Sequence, residues 1–250
     1  MATDPIEQFH IVDLFPIAKI GHTEIAFTNS AAFMLAAVAG ITAFLVIGTA
    51  KRSLVPSRLQ SAAELSYEFV ANTIRSTAGT EGMRFFPFVF TLFMFILVVN
   101  LIGLIPYTFT VTTHIVITAT LALSVFATVL VYGFWKNGLH FFNLFVPKGI
   151  PIYILPLIVF IEVLSFLSRP ISHSVRLFAN MLAGHITLKV FASFIILLSG
   201  AGFFGMVGAT LPLALVVALT ALELLVAFLQ AYVFAILTCI YLNDAIHPGH

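Results

Sequence analysis

The chain has 250 residues, 61% of them hydrophobic and 8% charged, with a net charge of +1 and a mean hydropathy of +1.12. Soluble domains carry about 25% charged residues, so a water-soluble fold is excluded, and the few scattered basic residues form no nucleic-acid surface. The single cysteine, Cys239, excludes an internal disulfide, provides no metal motif and is expected to pack in the interior.

Residues 1–28 are polar to amphipathic, with Asp4, Glu7, Asp13 and Glu24 against Lys19, and do not read as a signal peptide. Residues 30–50 form a first apolar run, long enough at 1.5 Å per residue to cross a hydrocarbon core of about 30 Å. Lys51, Arg52, Arg58, Arg75 and Arg84 follow in one short connection. By the positive-inside rule that connection is cytoplasmic or on the matrix side, and the N-terminus lies opposite. Within it, residues 59–74 alternate with helical period and predict an amphipathic helix at the membrane surface.

No Asp, Glu, Lys or Arg occurs from Phe85 to Trp135. That run is too long for one span. It breaks at Gly103, Pro106, Tyr107 and the threonines after them, predicting spans over 86–105 and 113–135. Tyr132, Phe134, Trp135 and Lys136 close the second span as an interfacial anchor. An inner loop follows over 136–151, with Phe141, Phe142 and Phe145 expected to dip into the interface.

Two elements remain, 152–199 and 205–243, joined by the turn SGAGFFG. Each is twice the length a span needs. One solution splits the first at Pro170, which would put Arg169 and Arg176 near an outer turn against the positive-inside rule. The other, which we prefer, is a pair of long, strongly tilted helices whose polar residues face a protein partner. No internal repeat suggests an inverted-repeat transporter.

The first of these elements carries Glu162, Arg169, His173, Arg176, Asn180, His185 and Lys189 in otherwise apolar sequence. Glu162, Arg169 and Arg176 are seven apart and share a helical face, which His173 and Asn180 flank. His185, nine residues beyond Arg176, points roughly opposite. Each charge at bilayer depth costs roughly 2.5–3.5 kcal/mol. Such a run therefore needs a wet path or partner charges. Glu162 is about 21 Å along the helix from Arg176, too far to pair with it.

The segment SRPISHSVRLFANMLAGH, with Arg176, Leu177, Phe178, Asn180 and Gly184, resembles subunit a of F-type ATP synthases. The likeness extends to NLIGLIPY at Asn100–Tyr107, to FTNS before the first span, to DPIEQF at the start, and to Glu223 and Gln230 on the last helix. It implies an all-α integral membrane fold of about five embedded helices plus an interfacial amphipathic helix. The last two helices would form a long, tilted hairpin against a ring of c subunits. It further implies two half-channels that carry H+ to and from the ring, with b-type peripheral stalk subunits and the remaining synthase subunits as partners. Nucleotide chemistry would lie on other subunits, and neither cofactor nor metal is expected here. The setting implied is a bacterial inner (plasma) membrane, with the mitochondrial inner membrane as alternative, N-terminus outside and C-terminus cytoplasmic.

The family's essential arginine falls on Arg176, which cannot relay protons but favours the ionised form of a nearby carboxylate. On the outer side the resemblance implies a proton path through His185, Glu223, Gln230 and Asn180. An imidazole exchanges its proton near neutral pH and a carboxylate can take it up; a buried pair that fixes helix register is the alternative. Glu162, Ser172 and His173 are candidates for the inner side, as are Ser165 and Ser168, although membrane serines more often bond their own backbone. Arg169 and Lys189 are expected to snorkel to opposite interfaces, Asn100 to bond across helices, and His114 to sit at the interface. The rival reading is a stand-alone secondary ion transporter.

Overall fold

The computed structural model describes residues 11–20, 23–50, 55–105, 108–146 and 153–247. The DPIEQF start, Lys51 and Arg52, the Pro106–Tyr107 break and the end of the 136–151 loop lie outside them. The described residues form two strands and six α-helices: β1 (Asp13–Ile20), β2 (Thr23–Thr28), α1 (Asn29–Ala50), α2 (Arg58–Ala78), α3 (Phe86–Gly103), α4 (Ile115–Asn137), α5 (Leu155–Ser199) and α6 (Phe203–Ile246). Of the six helices, all except α2 are long and apolar enough to cross a bilayer. The chain is an all-α membrane protein with one small hairpin appended.

That hairpin departs from the sequence reading, which gave residues 1–28 no regular structure. β1 and β2 pair antiparallel, with register shifts between Asp13 and Phe15 and between Pro16 and Ala18. The shift at Pro16 suits a residue that cannot donate to the ladder. The chain then enters α1 through local caps. The Thr28 hydroxyl accepts from the Ala31 amide at 3.3 Å, and the Asn29 side-chain oxygen accepts from Ser30 at 2.8 Å and Val12 at 3.2 Å.

The residues fall into two compact units, one of 1–41, 95–114 and 177–230, the other of 42–94, 115–176 and 231–250. In the first, the core is polar as well as apolar. Leu177, Met181, Ala209, Ala227 and Phe109 are buried beside Asn100, Thr110, Thr112, Thr113 and Gln230. Gly200, Ala201 and Gly202 connect α5 to α6, and Gly202 takes φ 82°. A Cβ on Gly205 would run into the Leu198 carbonyl, so α6 starts hard against the end of α5.

In the second unit, α2 is amphipathic. Ala63, Val70, Ala71, Ile74 and Ala78 are buried, whereas Leu59, Leu65 and Tyr67 are exposed. Ser57 caps α2 by accepting from the Gln60 amide at 3.3 Å, and Gly79 at φ 66° ends it. Phe141 does not dip into an interface as the sequence suggested. It is fully buried over Gly133, where any Cβ would strike its ring, and edge-on to Phe145 and Phe166. Phe142 remains half exposed.

α5 and α6 are continuous through Pro170 and Pro212. Their 45 and 44 residues extend about 67 and 66 Å at 1.5 Å per residue. Splitting the first element at Pro170 is thereby ruled out. Each proline deletes one backbone hydrogen bond, and the flanking apolar turns carry the helix past it.

Candidate functional site

In the first unit, α5 and α6 meet through two polar contacts. The Asn180 side-chain amide donates to Gln230 Oε1 at 3.0 Å, with Gln230 buried and Asn180 on an exposed side of α5. Two turns earlier on α6, at seven residues' spacing, the Glu223 carboxyl lies on the backbone of Gly184. Both carboxyl oxygens are buried and lack a hydrogen-bond partner among the described residues. Satisfying them requires water or a proton-bearing neighbour.

His185 follows Gly184 and reaches a different element. Its Nε2 stands 3.2 Å from the hydroxyl of Thr110, which is buried in the segment before α4. Glu223 thus abuts the backbone next to His185 without a hydrogen bond to the imidazole. Close by in the chain, the Thr112 hydroxyl donates to Asn100 Oδ1 at 3.1 Å, and the Asn100 amide donates to the Ala227 carbonyl at 3.4 Å. His114 stacks on Phe109 with ring centres 5.0 Å apart, and its Nε2 is buried without a hydrogen-bond partner among the described residues. Burial holds that imidazole below its ordinary range.

In the second unit, Arg176 is exposed on α5. Its only described hydrogen bond is to the Ser172 hydroxyl one turn back, at 3.4 Å. Among the described residues no acid lies within ion-pair distance of it. Its neighbours Ile171 and Val175 are exposed and apolar. Glu162 is half-buried, also without an ion-pair partner among the described residues.

His173 stands apart from Arg176 despite sharing a face by spacing. Three residues are 300° of helix, leaving 60° between them, enough to turn His173 inward. Its ring lies flat on Phe234 with centres 4.3 Å apart, edge-on to Tyr241 at 5.6 Å, and its Nε2 has no hydrogen-bond partner among the described residues. Arg169 does not snorkel. It is paired with Asp244 of α6 at 2.7 Å, and its guanidinium lies 4.8 Å from the Tyr241 ring and 5.2 Å from the Phe166 ring. Among the described residues there is no group of three metal-ligating side chains.

The sequence model of the family described as "ATP synthase A chain" matches residues 31–243. The chain is 71% identical over 250 residues, the whole of both chains, to "ATP synthase subunit a" of Rhodopseudomonas palustris (strain HaA2). It is 71% identical to the protein so named from Nitrobacter winogradskyi (strain ATCC 25391 / DSM 10237 / CIP 104748 / NCIMB 11846 / Nb-255), over 99% of each chain. To that of Chelativorans sp. (strain BNC1) it is 68% identical over the whole of both. The chain belongs to the ATP synthase A chain family.

For this member of the ATP synthase A chain family, the structure brings Asn180 to Gln230, Glu223 to the residue before His185, and Ser172 to Arg176. It does not join Glu162 or His173 to Arg176 by any described contact. Three participants escaped the sequence reading: Thr110, Gly184 as a contact surface, and Asp244. Thr110 and Asp244 each touch α5 across 75 positions of chain. No local pattern signals such a contact. Asp244 also fell one residue past the expected helix end at 243.

Proposed function

We propose that this chain is the stator subunit of an ATP synthase membrane sector, carrying protons to and from a rotating ring of c subunits. The observation that carries this reading is Arg176, an exposed guanidinium with no acid of the described chain beside it, flanked by exposed apolar side chains on a membrane helix. In hydrocarbon alone such a charge costs roughly 2.5–3.5 kcal/mol or more. A carboxylate on a partner removes that cost and explains why the chain supplies none. The guanidinium holds its own protons at every relevant pH. It therefore draws each ring carboxylate into the ionised state and blocks direct passage between two wet inlets.

In the outer inlet, protons pass by His185, Glu223 and the Asn180–Gln230 contact. The two unpartnered oxygens of Glu223 support this role, since a wet path is what would satisfy them. In the inner inlet, Ser172 and Glu162 line the route, and His173 stands behind them against Phe234. The long hairpin lies strongly tilted along the ring and α2 rests at the membrane surface. Peripheral stalk b subunits hold the chain still, and nucleotide chemistry stays on other subunits. The host is a bacterial inner membrane, with the N-terminus outside and the C-terminus in the cytoplasm.

The test is Arg176→Ala in the assembled complex. ATP-driven acidification of inverted vesicles is expected to vanish while the complex still purifies intact. Undiminished pumping would overturn the reading.

A further inference from the structure

α5 carries two arginines seven residues apart, and helical spacing gives no reason to prefer one. Their surroundings differ. Arg169 pairs with Asp244 at 2.7 Å, with side-chain exposures of 19% and 26%. Tyr241 and Phe166 present their rings to its guanidinium, and aromatic faces attract such a cation. Tyr241 in turn packs edge-on against His173, which lies on Phe234. Arg169 is thus enclosed by side chains of α5 and α6, whereas Arg176 is exposed, with the Ser172 hydroxyl as its described hydrogen-bond partner.

From this contrast we infer that Asp244 is the counter-ion that neutralises Arg169, so that Arg176 alone acts on the ring carboxylate. Arg169 and Asp244 are positioning residues, and their charge balance sets which arginine works. The inference rests on the stator reading above. A second guanidinium about two turns away along the same helix would otherwise also favour ionised carboxylates. The ring would then meet two such sites in succession, and a carboxylate held ionised past Arg176 cannot take up its next proton. Removing Asp244 alone exposes that second charge. Removing both charges does not, and exchange of a partly buried ion pair for apolar side chains is often tolerated.

The experiment compares Asp244→Asn, Arg169→Met/Asp244→Leu and Arg176→Ala in the full complex, as pumping rate per assembled complex. Asp244→Asn is expected to slow pumping about tenfold, the worth of one unit of altered carboxylate pKa. The double variant, which keeps neither charge nor hydrogen bond, is expected to stay within about threefold of the parent, less than that unit. A merely mechanical clamp predicts no difference in turnover between them: fewer assembled complexes in both, and normal turnover in those that form. Normal turnover per complex in Asp244→Asn, or a double variant as slow as the single, overturns the inference. If Asp244→Asn does not assemble, the double variant decides, because a tenfold deficit in it means that the groups themselves, and not their balance, are needed. Pumping by Arg176→Ala would instead sink the stator reading, which keeps the two failures distinct.

Discussion

Gly184 sits where Glu223 presses its carboxyl onto the backbone of α5, and a Cβ there would collide with Oε1. The obstacle is the far end of a flexible side chain, so a methyl group can be met by a small rotation of Glu223. A branched residue cannot. Gly184→Val is expected to cut ATP-driven proton pumping by about tenfold or more through the displaced carboxyl, and Gly184→Ala by much less. Fluorescence quenching in inverted vesicles reads both, and equal activity of the valine variant would show that the contact is dispensable. The glycine was visible in the sequence only as a motif letter. Its reason, a side chain from 39 residues further on resting against it, belongs to the folded hairpin.

Among the elements, the turn from α5 to α6 places a specific demand on local chemistry. Gly202 has φ 82°, a region where a β-branched side chain costs about 1–2 kcal/mol. Gly200 lacks that constraint and meets nothing closer than 3.6 Å. Gly202→Val is therefore expected to lower the thermal stability or yield of the purified complex, with Gly200→Ala close to the parent; similar melting of the two would refute the argument. The helices themselves were legible because apolar runs of span length and missing charges are a strong, local signal. The β-hairpin was not. Pro16 interrupts the alternation of its first strand, and Gly21-His22, the short spacer between the runs, is a weak turn signal on its own. Arg176, Asn180, Gln230 and Glu223 could be singled out as polar side chains in an apolar setting. Thr110 could not, because a threonine in a polar connection looks like any other.

For the whole molecule, the buried state of Cys239 (1% exposed) gives an unlabelled background on which orientation can be read. A membrane-impermeant maleimide applied to right-side-out vesicles is expected to modify Val12→Cys and to spare His247→Cys, both of which replace exposed residues. The reverse pattern would invert the proposed topology. The close join between the last two helices carries a further consequence for biogenesis. Three residues leave no polar loop for the translocation machinery to retain on one side, and neither arm has the short, self-sufficient length of an ordinary anchor. The pair must therefore enter the lipid as a single object, after both arms have left the ribosome.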